Sequence, residues 1–205
     1  MGVSRAGLLL CARATAVVVA IAATTAQLVD FGVYGQRLQA LSMMTHDSIF
    51  GAVSLGALGV AIVAAFGAAL LKGDRRVEFA FLAVLLAMLL ALRIWQPPHV
   101  LALGLPFSIA AGVLLWTVAP PGATRRLLRE GCVVLVGAFV IHGVGAWVVQ
   151  QLGLGPDTWG YQLKAVIKHV GELSGWIIVA FALTVVAHDR AGVSSRSSVT
   201  RIRAY

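Results

Sequence analysis

Six apolar stretches divide this chain, each close to the ~20 residues that an α-helix needs to cross a ~30 Å hydrocarbon layer. They predict helices at about 15–31, 48–71, 77–95, 100–119, 132–150 and 163–187. In hydrocarbon every backbone N–H and C=O must find a partner within the segment, so helices of this length are the natural outcome. The fold expected is all-α, a polytopic integral membrane protein built as a six-transmembrane-helix bundle.

Composition agrees with that reading, because 60% of the residues are apolar and 12% are charged, against about a quarter charged in soluble domains. The formal net charge is +8, but the basic residues punctuate apolar blocks and form no stripe of the kind that binds nucleic acid. Thirteen of the sixteen basic residues are arginine. Together with abundant Ala, Val and Gly, that usage points to a bacterial source. Cys11 and Cys132 belong to no CxxC or Cys/His run and are expected as free thiols.

Arg5 and Arg13 precede the first block, which therefore resembles a signal segment but stays apolar to Val29, as a retained anchor does. Pro97, Pro98, Pro120, Pro121 and Gly122 mark two breaks, and Pro106 is expected to kink the fourth helix. With the N-terminus inside, twelve Lys and Arg fall on the inner side and four on the outer side: Arg37, Arg93, Lys164 and Lys168. That bias predicts a bacterial cytoplasmic membrane protein with both termini in the cytoplasm. Residues 1–187 form the transmembrane domain, and 188–205, with four arginines and five serines or threonines, form a basic flexible tail.

Small residues at helical spacing predict close helix packing. Ala57, Ala61, Ala65 and Ala69 make one such row, Ala52 and Gly56 a shorter one, and Gly137, Gly143, Gly145 and Ala146 another in the fifth helix.

Placed on this topology, nearly all ionisable residues other than flanking charges gather in the outer half. Asp30, His46, Asp47 and His99 lie at helix ends, where interfacial water is expected to hydrate them. Arg93 either snorkels outward or lines a polar recess. His142 is either a hydrogen-bonded core residue or part of that recess. Lys168 and Glu172 are four apart and form a helical ion pair, with Lys164 extending the stripe. His169 and Glu172 are three apart, a spacing that carboxylate-bridged metal sites use, but the chain has only three glutamates. The functional polar cluster expected from the sequence is therefore Asp47, Arg93, His142, Lys168, His169 and Glu172. No catalytic residue, metal ligand set or cofactor is predicted; a single bis-histidine haem or one metal ion is the alternative. Asp157-Thr158-Trp159-Gly160-Tyr161 supplies an N-cap and two interfacial aromatics before the sixth helix, which is expected to project or bend at the outer surface from Gln162.

The string Lys168-His169-Val170-Gly171-Glu172-Leu173-Ser174-Gly175 resembles a group of uncharacterised bacterial multi-pass membrane proteins. Their last helix opens with an E-E-x-x-E-M-x-G pattern; Glu172 and Gly175 match its final Glu and Gly. Thr124-Arg125-Arg126-Leu127 and Thr45-His46-Asp47 also resemble that group in placement. The resemblance implies architecture and no activity, and His169 stands where that group often has an acid.

Three functions compete. The first is a non-catalytic module that binds a small molecule or lipid, or an accessory subunit of a membrane complex. Its partners are membrane lipids, another membrane protein or a second copy, and not nucleic acid. The alternatives are a transporter or channel, and an outward-facing enzyme acting on lipid headgroups.

Overall fold

A computed structural model describes residues 5–35, 38, 48–71, 73–95, 100–119 and 121–202. Among these the chain is all α, in six helices: α1 (Arg5–Tyr34), α2 (Ile49–Leu70), α3 (Arg76–Trp95), α4 (Val100–Thr117), α5 (Ala123–Gln151) and α6 (Trp159–Ile202). Five of them, α1, α2, α3, α5 and α6, contain stretches long and apolar enough to cross a membrane. Helix α4 has 18 residues, about 27 Å at 1.5 Å per residue, and carries Pro106 within it. Large apolar side chains such as Val18, Ile21, Val63, Val136 and Trp147 are exposed, as suits a bundle whose solvent is hydrocarbon.

Three helices are longer than their apolar blocks. Helix α1 begins at Arg5, α5 takes in Thr124-Arg125-Arg126, and α6 runs from Trp159 to Ile202, where the sequence reading has a flexible tail from 188. Hydropathy locates the lipid-compatible part of a helix. Leu, Arg and Glu are good helix formers in water as well, so polar flanks extend the helix past the apolar block.

The helix ends are individually secured. Ser48 caps α2, its Oγ accepting from Gly51 N at 3.0 Å, and Thr158 caps α6, its Oγ1 accepting from Tyr161 N at 3.4 Å. Helix α5 closes with Gly153 at φ 62 and Leu154 N donating to Val149 O at 2.9 Å, the left-handed C-terminal closure that favours glycine.

The helices contribute to two compact units. The first contains Leu58–Arg129, α6 from Val179 and the chain up to Leu9. Its core is Leu58, Phe79, Leu82, Leu86, Leu115, Leu127, Leu128 and Leu183. The alanine row of α2 is buried there at Ala61, Ala65 and Ala69. A helix leaves its last four carbonyls without intrahelical donors, and here arginines supply them. Arg190 Nη1 donates to Ala68 O at 2.7 Å and Arg76 Nε to Ala69 O at 3.0 Å, at the end of α2. Arg75 donates to Thr117 O at the end of α4, and Arg125 Nε to Ala119 O at 2.6 Å, two residues past it.

The second unit comprises Leu10–Ala57 and Glu130–Ile178. Arg13 and Glu130 tie α1 to α5 by two parallel bonds, Nε to Oε2 at 2.9 Å and Nη2 to Oε1 at 2.7 Å. Ala52 and Gly56, the shorter small-residue pair, are exposed and do not form a packing seam within the unit.

Candidate functional site

The site is built on the antiparallel seam between α5 and α6 in the second unit. On α5, Gly131, Leu135, Ala138, His142 and Gly145 recur at spacings of four, three, four and three, one face of a helix. On α6 the facing residues are Gly175, Gly171, Lys168 and Lys164. A Cβ on Gly175 would lie 2.6 Å from Leu135 Cγ and 3.3 Å from Gly131 O, and one on Gly171 would lie 3.1 Å from Ala138 Cβ. At the other end of the seam a Cβ on Gly145 would meet Lys164 Cγ at 2.7 Å. The helices therefore close to backbone contact at the Gly171/Gly175 end, and Lys164 lays its stem across Gly145 at the other. Of the fifth-helix glycines expected to mediate close approach, Gly145 does so, whereas Gly137 and Gly143 have nothing within 4 Å.

This register sets His142 within electrostatic reach of Lys168, Lys164 and Glu172. Along α6, Lys168 Nζ is 3.6 Å and His169 Nδ1 3.8 Å from Glu172 Oε2. The first is an ion pair, and neither separation is the short contact of a direct hydrogen bond. All three side chains are only about a quarter exposed (23% for Lys168 and His169, 25% for Glu172). Lys164 Nζ stands 5.2 Å from the centroid of the Tyr161 ring, in cation–π range. Lys168 thus pairs with the Glu172 carboxylate while Lys164, one turn away, turns to the Tyr161 ring. A partly desolvated excess of positive charge is suited to an anion.

Of the six residues expected in the polar cluster, four come together: His142, Lys168, His169 and Glu172. Arg93 lies in the last turn of α3 and belongs to the first unit. Asp47, like His46 and His99, lies outside the described residues. Among the described residues no three His, Cys, Asp or Glu side chains converge as a metal site.

Three polar residues of the same unit are buried where hydropathy gives no sign of it: Asp30, Gln27 and Gln162. Asp30, expected to be hydrated at a helix end, is 0% exposed. Its Oδ1 accepts from Leu38 N at 2.9 Å. Gln27, one turn earlier, donates through Nε2 to Gln162 Oε1 at 3.0 Å, and Gln162 Nε2 donates to Pro156 O at 2.7 Å. Phe31 and Trp159 meet edge to face at 4.5 Å beside this bridge, with Gly32 leaving room for the indole. The available signal was Gln27 and Asp30 at i, i+3 inside an apolar block, where a polar side chain requires a partner.

No protein-family model, curated protein or solved structure matches this chain.

Proposed function

We propose that the chain is a non-catalytic integral membrane protein that binds a small anionic group, a carboxylate or phosphate, at the polar end of the α5–α6 seam. The carrying observation is the charge balance there: among the described residues, Lys164 and Lys168 stand on one face of α6 with Glu172 as the carboxylate paired to Lys168. Glu172 faces both Lys168 and His169, which commits it to holding the cluster together and leaves it a poor general base. The surplus charge then belongs to the ligand. The protein sits in a bacterial plasma membrane with both termini in the cytoplasm, a topology supported by the twelve-to-four distribution of Lys and Arg. In this topology alkaline phosphatase fused after Tyr205 stays inactive, and an active fusion reverses the orientation.

The binding reading is tested with purified protein in dodecyl maltoside, titrated with acetate, inorganic phosphate and dihexanoyl phosphatidic acid. Trp159 and Tyr161 flank Lys164 and report binding by fluorescence. At least one anion saturates with the wild type, and Lys164→Met and Lys168→Met each weaken it about tenfold, the size of one charge-assisted hydrogen bond. Saturation that both variants leave unchanged, or no response to any of the three, removes the proposal. A transporter would add flux: proteoliposomes of the wild type and of Glu172→Gln should leak these anions equally.

A further inference from the structure

We infer that the α4–α5 hairpin of the first unit holds an anionic phospholipid, its phosphate on Arg125, Arg126 and Arg129 and an acyl chain along α4. This site is separate from the α5–α6 cluster and does not depend on it.

Three guanidiniums stand in the first two turns of α5, and no acidic residue accompanies them in the first turn. Arg126 and Arg129 are three apart and Arg125 and Arg129 four apart, so they share one side of the helix. Like charges at that spacing repel, and positive charge opposes the dipole at a helix N-terminus. Some countercharge is needed, and the one carboxylate on this part of α5, Glu130, is already held by Arg13 through two bonds. Arg125 uses Nε on Ala119 O, Arg126 is exposed, and the buried Nε of Arg129 has no hydrogen-bond acceptor.

The second observation gives the ligand its shape. The Arg129 guanidinium lies over the Trp116 ring, 4.8 Å from its centroid. Trp116, Val113 and Ile109 form an exposed row on α4 at spacings of three and four, with exposures of 42%, 58% and 59%. This row leads from the guanidiniums into the apolar length of the helix. A cationic cluster joined through an amphipathic indole to an exposed aliphatic strip complements a molecule with an anionic head and a hydrocarbon tail. Free phosphate would satisfy the guanidiniums and leave the strip unused.

The test is native mass spectrometry of the protein purified from discs of phosphatidylcholine containing or lacking phosphatidylglycerol, with retained phospholipid counted per chain. Wild type keeps phosphatidylglycerol over phosphatidylcholine, and inorganic phosphate at millimolar concentration does not displace it. Arg126→Gln with Arg129→Gln lowers the preference about twenty-five-fold, at roughly fivefold per arginine near the headgroups. Trp116→Ala loses it too, whereas Lys164→Met with Lys168→Met retains it. Circular dichroism and monodispersity confirm that each variant is folded, and Arg129→Lys, which keeps the charge, provides a milder substitution if the double variant is not. Equal retention of the two lipids by wild type, displacement by inorganic phosphate, or unchanged preference in the folded arginine variants overturns the inference.

Discussion

Substituting Gly175 should destabilise the protein by about 1–3 kcal/mol as valine, the usual cost of overpacking a tight interface, and by less as alanine. The first added atom already falls 2.6 Å from Leu135 Cγ and 3.3 Å from the Gly131 carbonyl. Leucine can turn away, but the carbonyl is backbone and moves only if α5 moves. Alanine is a better helix former than glycine by about 1 kcal/mol, so intrinsic propensity works against the expected loss. Gly137 supplies the control, because nothing lies within 4 Å of a Cβ placed there. Gly137→Ala should therefore keep or raise the thermal midpoint while Gly175→Ala lowers it and Gly175→Val lowers it further. Trp176, 8% exposed beside the seam, gives a fluorescence signal for melting in detergent. A wild-type midpoint for Gly175→Val would mean that α5 and α6 do not meet at Gly131 and Leu135. Separating them there would also remove the register that brings His142 level with Lys168.

The apolar blocks carried most of the fold because lipid compatibility is a local, additive property of sequence. Six blocks became six helices for that reason. Helix ends were less legible: Arg125, Arg126 and Arg129 lie before the apolar block at 132–150, yet they are helical, and Arg75, before α3, is what caps the end of α4 at Thr117 O. Capping depends on where a neighbouring helix ends, which no single stretch encodes. The site divides similarly. Lys168, His169 and Glu172 are neighbours on one helix, so their spacing places them together before any packing is known. His142 joins them through an interhelical register fixed by glycine contacts far along the seam. The same dependence hid Asp30 and the Gln27–Gln162 bridge, since burial of a residue at a helix end is decided by what folds over it. Within Gly131, Leu135, Ala138, His142 and Gly145 the alternating four-three spacing was present in the sequence, but small, large and polar residues share it and apolar patterning alone does not single it out.

Removing the Arg190 side chain should measurably destabilise the protein, although the residue lies beyond the last apolar block. Its Nη1 donates to Ala68 O at 2.7 Å and its Nη2 to Asp74 O. The guanidinium also covers the Phe79 ring, 4.7 Å from its centroid, and Gly73, at φ 149, brings a backbone without a side chain up to it. Arg190→Met leaves the α2 carbonyl without its donor and the turn before α3 without its clasp. Loss of charge-assisted bonds to partly buried carbonyls costs about 1.5–3 kcal/mol, toward the lower figure because the side chain is half-exposed. Arg190→Lys should recover less than half of this, because a single ammonium lacks the planar fork that reaches two carbonyls while stacking on a ring. The same contact predicts different outcomes for two truncations. Ending the chain after Gly192 keeps Arg190 and should leave the thermal midpoint near wild type, whereas ending it after Ala187 should lower it as far as Arg190→Met does. Equal midpoints for the two truncated chains would show that α6 beyond residue 187 is the appendage that composition suggests, and that Arg190 does not hold α2 to α3.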